Sequence, residues 1–179
     1  SGAHRGSFNS YDGHLYIVGT DGWQSYAREN GSLERIRWTG GKMALPESVE
    51  TRKNGLILRF NEPIDPSSLN PKKAFAAQWN YLHSEAYGSP EYSVRNPGLT
   101  GHDPVKIRSL HALKDGKSVF VEIPQLHPVM QFHLHLDLKT KDGRTFAPDL
   151  YYSIFHQGKE FTDFPGYQKI AKKNWNDFP

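Results

Sequence analysis

The stretch QFHLHLDL, residues 131–138, alternates strictly between polar and apolar side chains. A β-strand points successive side chains to opposite faces, so this alternation predicts a strand with one face in a hydrophobic core. LILRF, residues 56–60, repeats the pattern, with leucines and a phenylalanine on one face. Two such segments favour an antiparallel sheet that is buried on one side.

Outward from these two segments, further apolar runs recur between turn signals such as Asn54-Gly55 and Asp115-Gly116. They predict strands at residues 14–18, 33–38, 48–52, 74–81, 104–113, 118–123 and 150–155. This spacing is typical of a mainly β protein. We expect an antiparallel β-sandwich of about seven strands, with an N-terminal β-hairpin extension formed by residues 14–18 and 33–38.

The chain divides into four segments by composition. Residues 1–6 are expected to be a tag remnant and a disordered start, and residues 7–45 to hold the hairpin. Residues 46–157 carry the predicted sandwich. Residues 158–179 are expected to be either a tail that docks through its aromatic rings or the start of a linker. A short helix is expected near residues 168–173.

The overall composition excludes several function classes. Of 179 residues, 36% are hydrophobic and 13% aromatic, too many for a disordered chain. The net charge of +3 is spread out without a run of five basic residues, which argues against nucleic-acid binding. The absence of cysteine excludes disulfides, thiol catalysis and thiolate metal sites. No apolar run has the length of a membrane span, so none is expected.

Motifs for catalysis are lacking. The sequence contains neither a Gly-x-Ser-x-Gly elbow nor a His-Glu-x-x-His helix, and no glycine-rich phosphate loop. We therefore expect no stand-alone enzyme, no catalytic residue and no cofactor on this segment.

An aromatic cluster marks strand 74–81 and the long loop 82–103 that follows it. Flat rings and planar polar side chains suit sugar recognition, because pyranose C–H faces stack on rings and hydroxyls take forked hydrogen bonds. The same residues are equally suited to packing the loop or contacting another domain. The candidate binding residues are Trp79, Asn80, Tyr81, Tyr87, Glu91 and Tyr92.

A pair of histidines on the strand at 131–138 raises the question of a metal. His133 and His135 lie side by side on one strand face, a geometry that suits zinc or copper if Asp137 or another group supplies a third ligand. The alternative is the polar outer face of a half-exposed strand. We expect no tightly bound ion.

Three segments resemble parts of bacterial Ig-like domains of surface and periplasmic proteins. NGLILRFNEPIDPSSL (54–69) resembles their opening strand and corner, KDGKSVFVEIPQLHPVMQFHLHL (114–136) their central hairpin, and LKTKDGRTF (138–146) their closing turn. The order of the segments implies an Ig-like version of the sandwich.

A closer resemblance covers residues 12–156. DGHLYIVGTDGWQ (12–24) and GSLERIRWTGG (31–41) look like the last blade of a glucose/sorbosone-dehydrogenase-like β-propeller, and QWNYLHSEAYGSPEYSV (78–94) looks like the segment after it. The resemblance implies an Ig-like module in large, exported, multidomain proteins of planctomycete-type bacteria, which often contain cytochrome c modules.

From this resemblance we expect a non-catalytic accessory module of an exported redox-type protein, periplasmic or at the cell surface. Its expected partners are adjacent propeller or cytochrome domains. Two alternatives remain open, namely a carbohydrate-binding module that takes a polysaccharide and a small copper- or zinc-binding domain.

Overall fold

The computed structural model describes residues 2–20, 31–83, 85 and 87–173. It is mainly β, with 47% strand and 4% helix, and its strand pairs are antiparallel. This confirms the expected mainly β, antiparallel class and is consistent with a β-sandwich. The chain forms two compact units, Ser1–Met43 and Ala44–Pro179.

The first unit is a three-stranded antiparallel sheet in the order β1-β2-β3. Its strands are β1 (Gly2–Phe8), β2 (Leu15–Thr20) and β3 (Gly31–Ile36). The pairing of β2 with β3 confirms the predicted hairpin, whose connecting loop lies outside the described residues. The expected disordered start at residues 1–6 is wrong for residues 2–6, because their strand pairs with β2.

The second unit holds the remaining strands, of which most of the longer ones follow the predicted segments. They are β4 (Pro46–Arg52), β5 (Gly55–Phe60), β6 (Ala74–Tyr81), β7 (Glu91–Tyr92), β8 (Asp103–Pro104), β9 (Ser109–Ala112), β10 (Ser118–Glu122), β11 (Val129–Leu136), β12 (Leu138–Lys139), β13 (Thr145–Phe146) and β14 (Asp149–Ile154). The predicted strand 104–113 is wrong in its first half, because residues 105–108 are not in a strand.

These strands form two larger sheets and a small hairpin. One sheet has the order β4-β5-β10-β9. The other has the order β14-β11-β6-β7, with β8 also paired to β6, and β12 pairs with β13 alone. Among the described residues the only helical segments are two 3-10 turns of three residues each. No helix in the described part of the chain is long and apolar enough to cross a membrane.

A single core takes side chains from both larger sheets, as in a β-sandwich. Leu56, Leu58 and Phe60 of β5 are fully buried, as are Phe132 and the leucines of β11. The alternation in both segments therefore confirms their predicted core faces. Burying one such side chain contributes about 1.5–3 kcal/mol, so these rows dominate the energetics of the fold.

The C-terminal tail, residues 158–173 of the described chain, is fixed to the sandwich by side-chain amides. Asn54 donates through Nδ2 to the Phe161 carbonyl at 2.7 Å, and its Oδ1 accepts from the Phe161 N–H at 2.8 Å. Gln125 does the same further along, bonding the Ala171 carbonyl at 3.0 Å and the Lys173 N–H at 2.9 Å.

Aromatic rings complete this docking. Phe161 and Phe164 lie 4.7 and 4.9 Å from the ring of Phe120. The expected short helix at residues 168–173 is wrong, because that segment is non-helical. Its backbone bonds Gln125 in place of an intrahelical ladder.

Candidate functional site

The centre of the five-stranded sheet is β6, and its alternation defines an outer face. Ala74 and Ala76 pack in the core, so Phe75, Trp79 and Tyr81 point to the opposite side. Residues directly opposite in an antiparallel pair share a face. We call the outer face of this sheet the aromatic face; its rings are Phe75, Trp79, Tyr81, His133 and Tyr151.

At one end of the aromatic face, two histidines share one carboxylate. His133 Nε2 lies 2.7 Å from Asp149 Oδ1, and His135 Nδ1 lies 3.1 Å from the same oxygen. The register explains this contact, since β11 pairs with β14 so that His135 lies opposite Asp149. Hydrogen bonds from His133 and then from His135 lower the pKa of Asp149 below its usual 3.8.

Rings enclose His133 within this group. Tyr151 stacks on it with centroids 4.2 Å apart and planes 7° apart, and Phe75 contacts it edge-on at 5.6 Å. The His133 side chain is 17% exposed, whereas Phe75 and Tyr151 remain 49% and 59% exposed. The three rings therefore form a continuous row across β6, β11 and β14, with its two outer members open to solvent.

At the other end of the face, the ring of Trp79 is covered. His102 stacks on it at 3.8 Å with planes 10° apart, and the Trp79 Nε1–H donates to the Tyr81 hydroxyl at 3.1 Å. The His102 imidazole in turn contacts the carboxylate of Glu91. Trp79 is consequently only 5% exposed and has no bare face for a ligand.

The long loop 82–103 is held to the sheet along its second half. Within it, β7 pairs with the end of β6, and the buried carboxylate of Asp103 accepts from Ser93 Oγ, the Val94 N–H and the Arg95 N–H at 2.7–2.9 Å. Tyr87, in the first half, is fully exposed. The loop is therefore partly structural and presents one aromatic side chain to solvent.

The predicted binding residues thus have different roles. Asn80 uses its Oδ1 to accept the Met130 N–H at 3.0 Å, beside the bulge in β11, and Glu91 is engaged by His102. Tyr92 is half-buried opposite Asn80, while Tyr81 is 37% exposed. The structure brings Trp79, Asn80, Tyr81, Glu91 and Tyr92 together but leaves Tyr87 apart from their contacts.

The predicted metal ligands make hydrogen bonds and ion pairs within the protein. His135 Nε2 lies 3.7 Å from Asp137 Oδ1, and its other nitrogen faces Asp149. Within the described ranges, no three histidine or carboxylate side chains are placed to hold a metal ion together.

Sequence reasoning missed four residues of this face, namely Phe75, His102, Asp149 and Tyr151. The alternation in residues 74–81 marks Phe75 as lying on the same side as Trp79. The alternation in residues 149–154 groups Asp149 with Tyr151. The proximity of Asp149 and Tyr151 to His133 depends on the register in which β14 pairs with β11, and the sequence holds no signal for that register.

This arrangement can bind by stacking and by hydrogen bonding. Phe75 and Tyr151 offer exposed ring area, and Asp149 and Asp137 provide acceptors next to it. Comparison with family models, curated proteins and solved structures yields no match.

Proposed function

We propose that this protein is a non-catalytic accessory module of Ig-like fold within a larger exported redox-type protein, and that its aromatic face contacts a neighbouring domain. The observation that carries the proposal is the exposed row of Phe75, His133 and Tyr151. Aromatic residues are enriched at the buried centres of protein interfaces. Methionine is also enriched at interfaces, and Met130, which is 43% exposed, lies close to Tyr81.

The first unit supports the same proposal. On one face of its sheet, Phe8 pairs with Leu15 and Leu15 pairs with Ile36. Phe8 and Ile36 are exposed, and among residues 3–8, 15–20 and 31–36 of the sheet only Gly19 is buried. A sheet with an apolar face exposed in this way favours a covering neighbour. Adjacent propeller or cytochrome domains are the proposed neighbours.

The test is footprinting of the exposed rings. Hydroxyl-radical oxidation of Phe75 and Tyr151 is measured in this chain alone and in a longer chain that contains its flanking domains. We expect both rings to be protected several-fold in the longer chain, while Leu99, exposed in a loop, is oxidised equally in both. Equal oxidation of Phe75 and Tyr151 in the two chains would contradict the proposal.

A second candidate function is carbohydrate binding, favoured by the geometry of Tyr151. One face of this ring lies on His133, and the side chain is 59% exposed, which leaves ring area for stacking a pyranose. Asp149, directly beside it, can accept sugar hydroxyls. The candidate platform therefore centres on β14, away from the covered ring of Trp79.

Retention on polysaccharides separates the two functions. For a sugar platform, Tyr151→Ala abolishes retention in affinity electrophoresis with soluble polysaccharides, and Leu99→Ala preserves it. Both variants should melt close to the wild type, because both side chains are more than half exposed. Absence of retention by the wild-type protein on a broad polysaccharide panel would reject this second function and leave the first untouched.

A further inference from the structure

A basic pocket lies where the tail crosses the sandwich, and none of its lining residues belongs to the aromatic face. Its volume is about 380 Å³, and its charged lining consists of Lys53, Lys159, Glu160, Lys169 and Lys172. The charged lining thus has four lysines and one glutamate. We call this cavity the lysine pocket.

We propose that the lysine pocket binds a doubly charged oxyanion group, a phosphate or a sulfate. Lysine ammonium groups bind such anions as point charges, each with several N–H donors. The pocket brings them together from three stretches of the chain, at residue 53, at residue 159 and at residues 169–172. The inference is independent of the aromatic face.

The pocket is built by bonds that hold the tail in place. Lys53 donates its N–H to the Gly158 carbonyl at 3.2 Å, which places Lys159 next to β4. The reciprocal bonds of Asn54 and Gln125 fix the tail on either side of Lys169. Because the backbone that carries the lysines is already ordered, the protein loses less conformational entropy when a ligand binds.

The charge of the pocket is not neutralised internally. Glu160 interacts with the Tyr167 hydroxyl, whose pKa is raised by burial and by this hydrogen bond. Lys53, Lys159 and Lys169 form no ion pair with any described residue. An added dianion would therefore be attracted by several cations that lack counter-charges.

Lys172 is the most enclosed of these cations. Its Nζ donates to the Leu126 carbonyl and to Gln157 Oε1, the latter at 2.9 Å. Burial and the nearby charge of Lys53 lower its pKa to about 8, against a smaller opposing effect of Glu160. Burial lowers the pKa of the nearby His127 imidazole, and the charge of Lys172 lowers it further. A bound anion would relieve the repulsion between Lys53 and Lys172.

The probes are inorganic sulfate and inorganic phosphate, titrated at constant ionic strength near neutral pH and followed by calorimetry and NMR. We expect saturable binding to the wild-type protein. Lys53→Gln and Lys169→Gln should each weaken it about tenfold, the effect of losing one charge-assisted hydrogen bond. Lys106→Gln, an exposed lysine outside the pocket, should bind like the wild type. The anion that binds more tightly identifies the group preferred.

A pH series adds a specific readout. Sulfate keeps its charge throughout, so its affinity should fall as the pH rises through the Lys172 pKa, and Lys172→Gln should flatten that fall. Melting of Lys172→Gln checks that the tail stays attached, and Lys53→Gln and Lys169→Gln test the pocket without altering a tail anchor. No saturation by either anion, or an equal loss in Lys106→Gln, would overturn the proposal.

Discussion

At the residue scale, Asp103 shows how one buried side chain organises a long loop. Its carboxylate takes three hydrogen bonds from residues 93–95, so the loop that leaves β6 is brought back onto the sheet. Buried polar groups in folded proteins are nearly always bonded, and removal of one partner leaves the others unsatisfied. Asp103, at the end of the loop, therefore holds the middle of the loop at residues 93–95.

Replacing this acceptor should destabilise the protein markedly. Asp103→Ala leaves two backbone N–H groups and one hydroxyl without their partner, at an expected cost of about 2–4 kcal/mol. Urea unfolding measures the loss of stability. The matched control is Asp163→Ala, which replaces an exposed aspartate and should destabilise the protein by under about 0.5 kcal/mol. Similar losses in both variants would contradict this role for Asp103.

The contacts of Asp149 on the aromatic face should make the stability of the protein depend on pH in the acid range. The pKa of Asp149 is lowered in the folded chain, first by the His133 hydrogen bond and next by that of His135. A carboxyl group whose pKa is lower in the folded protein than in the unfolded chain stabilises the fold. This stabilisation is complete above the pKa of the unfolded chain and is lost as the pH falls through the pKa of the folded protein. Between about pH 5 and pH 2 the urea midpoint should therefore fall less in Asp149→Asn than in the wild type. Parallel curves would refute this.

At the element scale, the strands were predictable and the register of the outer face was not. Strict alternation in 56–60 and 131–138 reports burial, and both segments are core strands. The contact of Phe75 and Tyr151 with His133 arises from pairing between β6, β11 and β14, which are distant in sequence. Short pairs such as β7 and β8 escaped prediction because two residues carry no periodicity.

Gly55 leaves no room for a side chain between β5 and β10. A Cβ added there would lie 2.1 Å from the Val121 carbonyl oxygen and 2.9 Å from the Phe120 ring. Because backbone cannot yield as a side-chain tip can, Gly55→Ala should cost about 3 kcal/mol or more. Thermal and urea unfolding measure this. Gly98→Ala, with open space around its Cβ, should change stability little; an equally mild effect at Gly55 would contradict the close approach.

At the scale of the whole molecule, the second unit is completed by its tail. The rings of residues 161–164 suggested a docked tail in the sequence, with a linker as the alternative. The lysine pocket was not, because it forms only when residue 53 and the tail meet. Asn54 carries the first anchor through both atoms of one amide.

Removing this anchor should release the tail before the sandwich unfolds. Asn54→Ala deletes both bonds to Phe161, and we expect it to lower the free energy of tail docking by about 1–3 kcal/mol. Hydrogen exchange of residues 159–172 should then quicken at least tenfold, while β10 and β11 stay protected. Gln168→Ala, which removes a bond to Arg108 only, is the milder control. Loss of protection across the whole sandwich would show that the tail has no separate transition.

The short path from β14 to the tail has a consequence for how strongly each anchor must bind. Gly158 follows the end of β14 at Ile154 by four residues and already bonds Thr51 through its N–H. The tail therefore docks as a tethered ligand, at an effective concentration on the order of millimolar. Contacts too weak to hold a free peptide suffice in cis. The same sixteen residues supplied in trans at micromolar concentration would leave their surface on the sandwich largely vacant.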